Sequence, residues 1–237
     1  MLQTFFVALI LVVSVLPAAT AHTYDSAAVV HGGTIAGVVK FKGQAPTPKK
    51  IDVTKDVAVC GKTVKYDESL MVANGDVDEA VVFIADIKKG KPMTSSEIKL
   101  DQRDCEYHPH VLAFPAGSTL QVLNPDGILH NIHGYSKINT PFNLAQPKFR
   151  KSLNVKIEKP EIINIKCDVH SWMNGWLFSA ANPYFSVTDR AGSFRLTDVP
   201  PGTYTLTVWH DTLGELSQKV TVKPDQETKV DFELANK

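Results

Sequence analysis

Between Cys167 and Met173 the sequence places a thiol, an imidazole and a thioether on one short stretch, Cys167-Asp168-Val169-His170-Ser171-Trp172-Met173. The alternating apolar run Glu161-Ile162-Ile163-Asn164-Ile165-Lys166 precedes it and reads as a β-strand; Trp176-Leu177-Phe178-Ser179 follows and reads as another. Cys167 is therefore expected to end one strand, with His170 and Met173 on the tight connection to the next. Thiolate, imidazole and thioether are three of the four ligands of a blue-copper electron-transfer site, and the fourth is a second His from elsewhere in the chain.

The elements that would hold such a site are strands. The chain has 237 residues, 43% hydrophobic and 21% charged with zero formal net charge, a composition that suits one large or two small globular domains. Balanced charge gives no argument for nucleic acid or for a membrane surface as partner. The 14 Gly and 14 Pro between short Val/Ile/Thr/Phe runs favour an all-β fold, and no segment carries sustained helical periodicity. Clear strand patterns are Gly33–Phe41, Val111–Phe114, Thr119–Asn124 and Ser152–Ile157. Ala80–Ala85 is apolar enough for a strand buried on both faces. Residues 51–66 read as irregular with one or two short strands, and Thr140–Lys151 as a Pro-containing loop.

Phe5 to Leu16 is nearly all apolar, and Ala19 and Ala21 make a small-x-small pattern, so residues 1–21 read as a signal peptide with the mature chain starting at His22. No Lys or Arg precedes the apolar run, which keeps a retained N-terminal anchor as the alternative. Export means an oxidising compartment, periplasmic or extracellular, in which thiols pair. The three cysteines cannot all pair within the chain. We expect a Cys60–Cys105 disulfide, worth about 4 kcal/mol on the chain-entropy model. Cys167 is then the thiol that a metal would keep as thiolate.

The run Asn124-Pro125-Asp126-Gly127-Ile128-Leu129-His130-Asn131-Ile132, with Cys167-Asp168-Val169-His170 and Met173-Asn174-Gly175 downstream, resembles the cupredoxins, the plastocyanin-like group above all. The likeness covers roughly residues 100–180. It implies a β-sandwich that carries one electron through a single copper ion, held by His130, Cys167, His170 and Met173. It also implies a redox partner such as a cytochrome or oxidoreductase. The spacing from His170 to Met173 is shorter than in that family, which leaves the axial position open to Met173, to water or to His133 as spare candidate. Dinuclear copper domains share the His-x-x-Met spacing but carry two cysteines, and this loop has one. Asn131 could brace the ligand loop by a hydrogen bond or be a plain turn residue, and His170 would be the edge through which an electron leaves. His108 and His110 read as solvated loop residues, His210 as structural or exposed, and Trp172 and Trp176 as shields, docking groups or ordinary packing.

Downstream, Val187-Thr188-Asp189-Arg190-Ala191-Gly192-Ser193-Phe194-Arg195-Leu196 and Val199-Pro200-Pro201-Gly202-Thr203-Tyr204-Thr205-Leu206 resemble the carboxypeptidase regulatory-like, transthyretin-like β-sandwich family. That likeness implies a structural or interaction module and no chemistry. Gly33–Phe41 and Ala80–Ile84 look like the opening of such a domain. The expected order is therefore signal peptide 1–21, cupredoxin-like copper domain with N-terminal strands 22–181, and second sandwich 182–237, with insertion of the first sandwich into the second as the alternative arrangement. The leading reading is an exported mononuclear copper protein that carries electrons. Copper storage or delivery and a metal-free scaffold or adhesion module are the alternatives. An enzyme built on Cys167 and His170 lacks an evident orienting group and oxyanion donors.

Overall fold

The computed structural model describes residues 24–95 and 97–236. The expected signal peptide at 1–21 lies outside the described residues. Among the described residues no helix is long and apolar enough to cross a membrane. The fold is all-β: two pairs of facing sheets, each closed on its own apolar core.

The first pair is built entirely from residues 97–180. One sheet orders its strands as Glu106–His108, Glu97–Arg103, Ser118–Leu123 and Ser152–Ile157. The other runs Val111–Pro115, Asn174–Ala180, Glu161–Lys166, His130–Tyr135 and Phe142–Gln146. Leu120, Val122, Ile132, Ile163, Ile165 and Leu177 fill the space between. Each is fully buried, which stabilises by roughly 1.5–3 kcal/mol per side chain. The Phe142–Gln146 strand falls inside the segment expected to be a loop. It is an edge strand whose alternation is bracketed by Pro141 and Pro147, and those prolines mask the pattern in the sequence.

The second pair draws on both ends of the chain. Gly33–Phe41 pairs with Ser193–Val199, Glu227–Lys229 and Phe232–Leu234, while Val81–Ile84 pairs with Phe185–Val187 and Gly202–His210. Strands expected to belong with residues 22–181 thus complete the sheets of residues 182–237, and those fifty-odd residues do not close a sandwich alone. The reason is core size: Ile35, Val39, Val82 and Ile84 supply apolar surface that the C-terminal strands need as partner. The lead segment is also held, because Asp25–Ser26 pairs with Lys89–Gly90.

Strand parity joins the two pairs. Along Asn174–Ala180, Leu177 enters the first core while Trp176, Phe178 and Ala180 face outward; along Val81–Ile84, Val82 and Ile84 enter the second core while Val81 and Phe83 face outward. The outward sets meet in one apolar cluster with Trp209. At its margin Asp211 accepts from Trp176 Nε1 at 3.1 Å and faces His110 Nε2 at 3.3 Å. His110, expected in solvent, is therefore buried, and the reason is a carboxylate from the distant C-terminal strands. His210 is buried and structural, its Nδ1 accepting from the Thr212 N–H.

Glu161 pins the connection after His130–Tyr135. Its carboxylate accepts from Ser136 Oγ at 2.5 Å, from the N–H of Lys137, Ile138 and Asn139, and from Asn139 Nδ2. Partial burial pushes the carboxyl up, but these donors outweigh it and hold the pKa at about 2. A depressed carboxyl adds stability above its unfolded value and loses it as pH falls through the folded one. Glu161→Gln is therefore expected to flatten acid unfolding between pH 4.5 and 2. After solvent screening the effect is about 1 kcal/mol. Urea midpoints of both proteins across that window check it; equal pH slopes would reject it.

Candidate metal centre

His130 opens its strand directly after a turn that side chains lock in place. Asn124, buried, donates from Nδ2 to the carbonyls of Ile128 and Gln146, each at 2.9 Å, and Gly127 takes the left-handed φ of 72° that the turn needs. Cys167 follows the last residue of the Glu161–Lys166 strand. Its N–H donates to the Met173 carbonyl at 3.1 Å, and the Met173 N–H donates to the His170 carbonyl at 3.0 Å, so the ligand loop closes on itself. Asn131 braces that loop from the neighbouring strand: its Oδ1 accepts from the Asp168 N–H at 2.6 Å, and its Nδ2 donates to Asp168 Oδ2 at 3.1 Å. Tyr107 completes the support, donating its hydroxyl to the Asn131 carbonyl at 2.8 Å.

These supports bring His130, Cys167 and His170 together. One donor atom from each lies within 4.8 Å of the other two, and all three residues are buried. His130 Nδ1 is 3.0 Å from His170 Nδ1, which is 3.8 Å from Cys167 Sγ. Both separations are shorter than the span of two bonds of about 2.0–2.3 Å meeting at one ion, the lengths typical of nitrogen and sulfur ligands. Met173 is 1% exposed and packs in the same apolar cluster as Cys167. His133 is not brought in. It lies on the opposite face of its strand from His130, stacks on Tyr135 and points its Nδ1 at the Asp168 carboxylate, 3.1 Å away.

Each imidazole carries a carboxylate on its far nitrogen. His130 Nε2 lies 2.9 Å from Asp126 Oδ2, and His170 Nε2 lies 2.9 Å from Asp56 Oδ2. A carboxylate accepts, so Nε2 donates to it in both rings, and each Nδ1 faces the other ring and the Cys167 side. Asp126 is itself fixed by the N–H groups of Asp104 and Cys105, both at 2.8 Å. Burial pushes the Cys167 thiol up, yet hydrogen bonding with His130 and His170 outweighs it and lowers the pKa to about 6. Burial also opposes charge on His130, but the bond to Asp126 raises its pKa on balance. The result is a thiolate held between two rings with little water access.

Two features lie outside the sequence expectation. His170, read from the sequence as the edge through which an electron leaves, is 0% exposed, covered by Asp56 and by Trp172, whose ring centroid is 5.2 Å away. Trp172 is held there by donating Nε1 to the Cys105 carbonyl at 3.0 Å. Asp56 itself carries no local sequence signal, because its partner is 114 residues away. Asp126 stands in the quoted Asn-Pro-Asp-Gly turn, and its position four residues before His130 is the one hint of its role. Cys60 and Cys105 form the expected disulfide.

Comparison with solved structures finds partial likeness to a cupredoxin and to amicyanins. The purple cupredoxin from Nitrosopumilus maritimus is 19% identical, with 35% of this chain and 99% of that chain covered and a TM-score of 0.31. Amicyanin from Paracoccus versutus is 14% identical over 42% of this chain and 97% of that chain, with a TM-score of 0.32. A reduced Cu(I) form of an amicyanin mutant is 18% identical over 35% and 82%, also at 0.32. No curated protein matches the chain. Residues 180–235, which supply the C-terminal strands of the second sandwich, match the family model of the carboxypeptidase regulatory-like domain.

Proposed function

We propose that this is an exported copper-binding protein that carries single electrons, one ion per chain being held by His130, Cys167 and His170 with Met173 beside them. The observation that carries this reading is the convergence of one thiolate-prone sulfur and two imidazole Nδ1 atoms in a buried space, with both Nε2 atoms tied to carboxylates. The donor set suits copper in both oxidation states: sulfur favours Cu(I) and imidazole accepts Cu(II). When bound, copper supplies the one-electron couple. The chain's own residues fix the donors in advance, so little has to move between the two states. Asn131 and Tyr107 hold the loop to the strand, Asp126 orients His130, and burial excludes water and oxidants from Cys167. The partner is a second redox protein. The disulfide favours an oxidising compartment, in keeping with export. In this reading residues 97–180 form the copper unit, set into a carboxypeptidase regulatory-like sandwich made from the segments before and after it.

Titration of the metal-free protein with Cu(II) tests the function. One equivalent is expected to bind and to produce an intense visible sulfur-to-copper band. A protein that stays colourless at saturation, or that takes up no copper, is instead a scaffold built of sandwiches.

A further inference from the structure

The segment between the paired strands Lys50–Ile51 and Lys65–Tyr66 reaches the metal centre with the Asp56 carboxylate. Asp56 sits there in the left-handed region, φ 49°, at the N-terminus of the short helix Val57–Cys60. Its carbonyl accepts the N–H groups of Val59 and Cys60. An Asp in this place ordinarily turns its carboxylate back onto the N–H groups of the first turn as a cap. Asp56 makes no such bond. The carboxylate points the other way and meets His170 Nε2 at 2.9 Å. A left-handed backbone in a residue with a side chain, together with a forgone cap, is a local cost, and the contact with His170 is what it obtains.

The helix that starts at Asp56 ends at Cys60, which is buried and bonded to Cys105. Both sulfurs of that bridge lie within 4.8 Å of a ring nitrogen of His170. The covalent link therefore anchors the end of that helix beside the ring. Asp56 is 38% exposed and His170 is not exposed at all, so the carboxylate stands between the imidazole and water.

We propose that Asp56 is a positioning residue of the metal centre: it keeps the His170 proton on Nε2, leaves Nδ1 free as a ligand, and closes the solvent side of the ring. This rests on the copper reading above. A buried ligand edge would otherwise tumble between two tautomers, and its negative partner favours the more highly charged state of a bound ion. Asp56 thereby lowers the reduction potential and slows the loss of metal.

Two substitutions separate positioning from loop packing. Asp56→Asn keeps an oxygen that accepts from Nε2 but removes the charge; Asp56→Ala removes both. In the metal-free protein, ¹H–¹⁵N spectra of the histidine rings are expected to show His170 protonated at Nε2 in wild type and Asp56→Asn, and in mixed tautomers in Asp56→Ala. In the copper-loaded protein, transfer to a chelator is expected to be roughly 10–100-fold faster for Asp56→Ala, the range found when a ligand's outer partner is lost, with Asp56→Asn restoring slow release. The potential is expected to rise in both variants. Asp56→Ala with the wild-type tautomer, release rate and potential would overturn the proposal and reduce Asp56 to a loop residue. Should wild type form no copper site at all, the copper reading fails, and the ring spectra of the metal-free protein still decide whether Asp56 sets His170.

Discussion

Cys167→Ser is expected to fold normally, to lose the visible band completely and to bind copper far more weakly. Serine is nearly the size of cysteine, and the backbone N–H at 167 keeps its bond to the Met173 carbonyl, so the loop has no reason to open. The chemistry changes entirely. The Cys167 thiol has its pKa at about 6 and is a thiolate at neutral pH, whereas a serine hydroxyl stays protonated and is a hard, poor ligand for Cu(I). The loss in affinity should exceed the roughly 10–100-fold that follows removal of an outer-shell partner. His133→Ala supplies the contrast: the ring at 133 faces Asp168 on the other side of the strand, so the band should persist unchanged. A Cys167→Ser protein that retained the band, or a His133→Ala protein that lost it, would show the donor set to be wrongly drawn. Optical spectra of both variants at one equivalent of Cu(II), alongside thermal melts, make the check.

Why the candidate centre is legible in the sequence, and where that legibility stops, follows from separation along the chain. Cys167, His170 and Met173 share one stretch between two strands of plain alternation, so local pattern places them at the end of a sheet. His130 comes from its own motif, and Asn131 beside it braces the ligand loop, as one of its two readings has it. Asp56 is invisible because only the fold brings it to His170, and the residues around it carry no regular period. The cover that Asp56 places over His170 is therefore not legible either. His110 shows the same limit: a histidine next to a proline reads as loop until Asp211, about a hundred residues on, accepts it into the junction between sandwiches. The sheets behave likewise. Gly33–Phe41 and Val81–Ile84 are legible as strands, but their partners are set by which apolar face lacks cover, a property of the whole chain rather than of either segment.

Replacing the bridge, as Cys60→Ala with Cys105→Ala, is expected to cost about 4 kcal/mol and to disturb the proposed metal centre at the same time. The cysteines are 45 residues apart, and the chain-entropy model gives about that figure for a loop of this length. Against a typical domain stability of about 5–15 kcal/mol this is a large share. Both residues are buried in the first sandwich's core, so packing adds to the loss. The effect on the site has a separate cause. The backbone at Cys105 donates to Asp126, which orients His130, and accepts from Trp172, which covers His170; Cys60 ends the helix that Asp56 begins. Freeing both ends loosens three of the groups around the two rings together. Urea unfolding of the metal-free protein should show a midpoint that falls while the copper-loaded variant releases its ion to a chelator faster than wild type. Asp56→Ala should share the second change and not the first, since its side chain is part exposed and contributes little to the core. An unchanged midpoint would mean that the bridge does not form or does not restrict the unfolded chain. A lowered midpoint with wild-type copper release would mean that it stabilises the sandwich without holding the groups that close over His170.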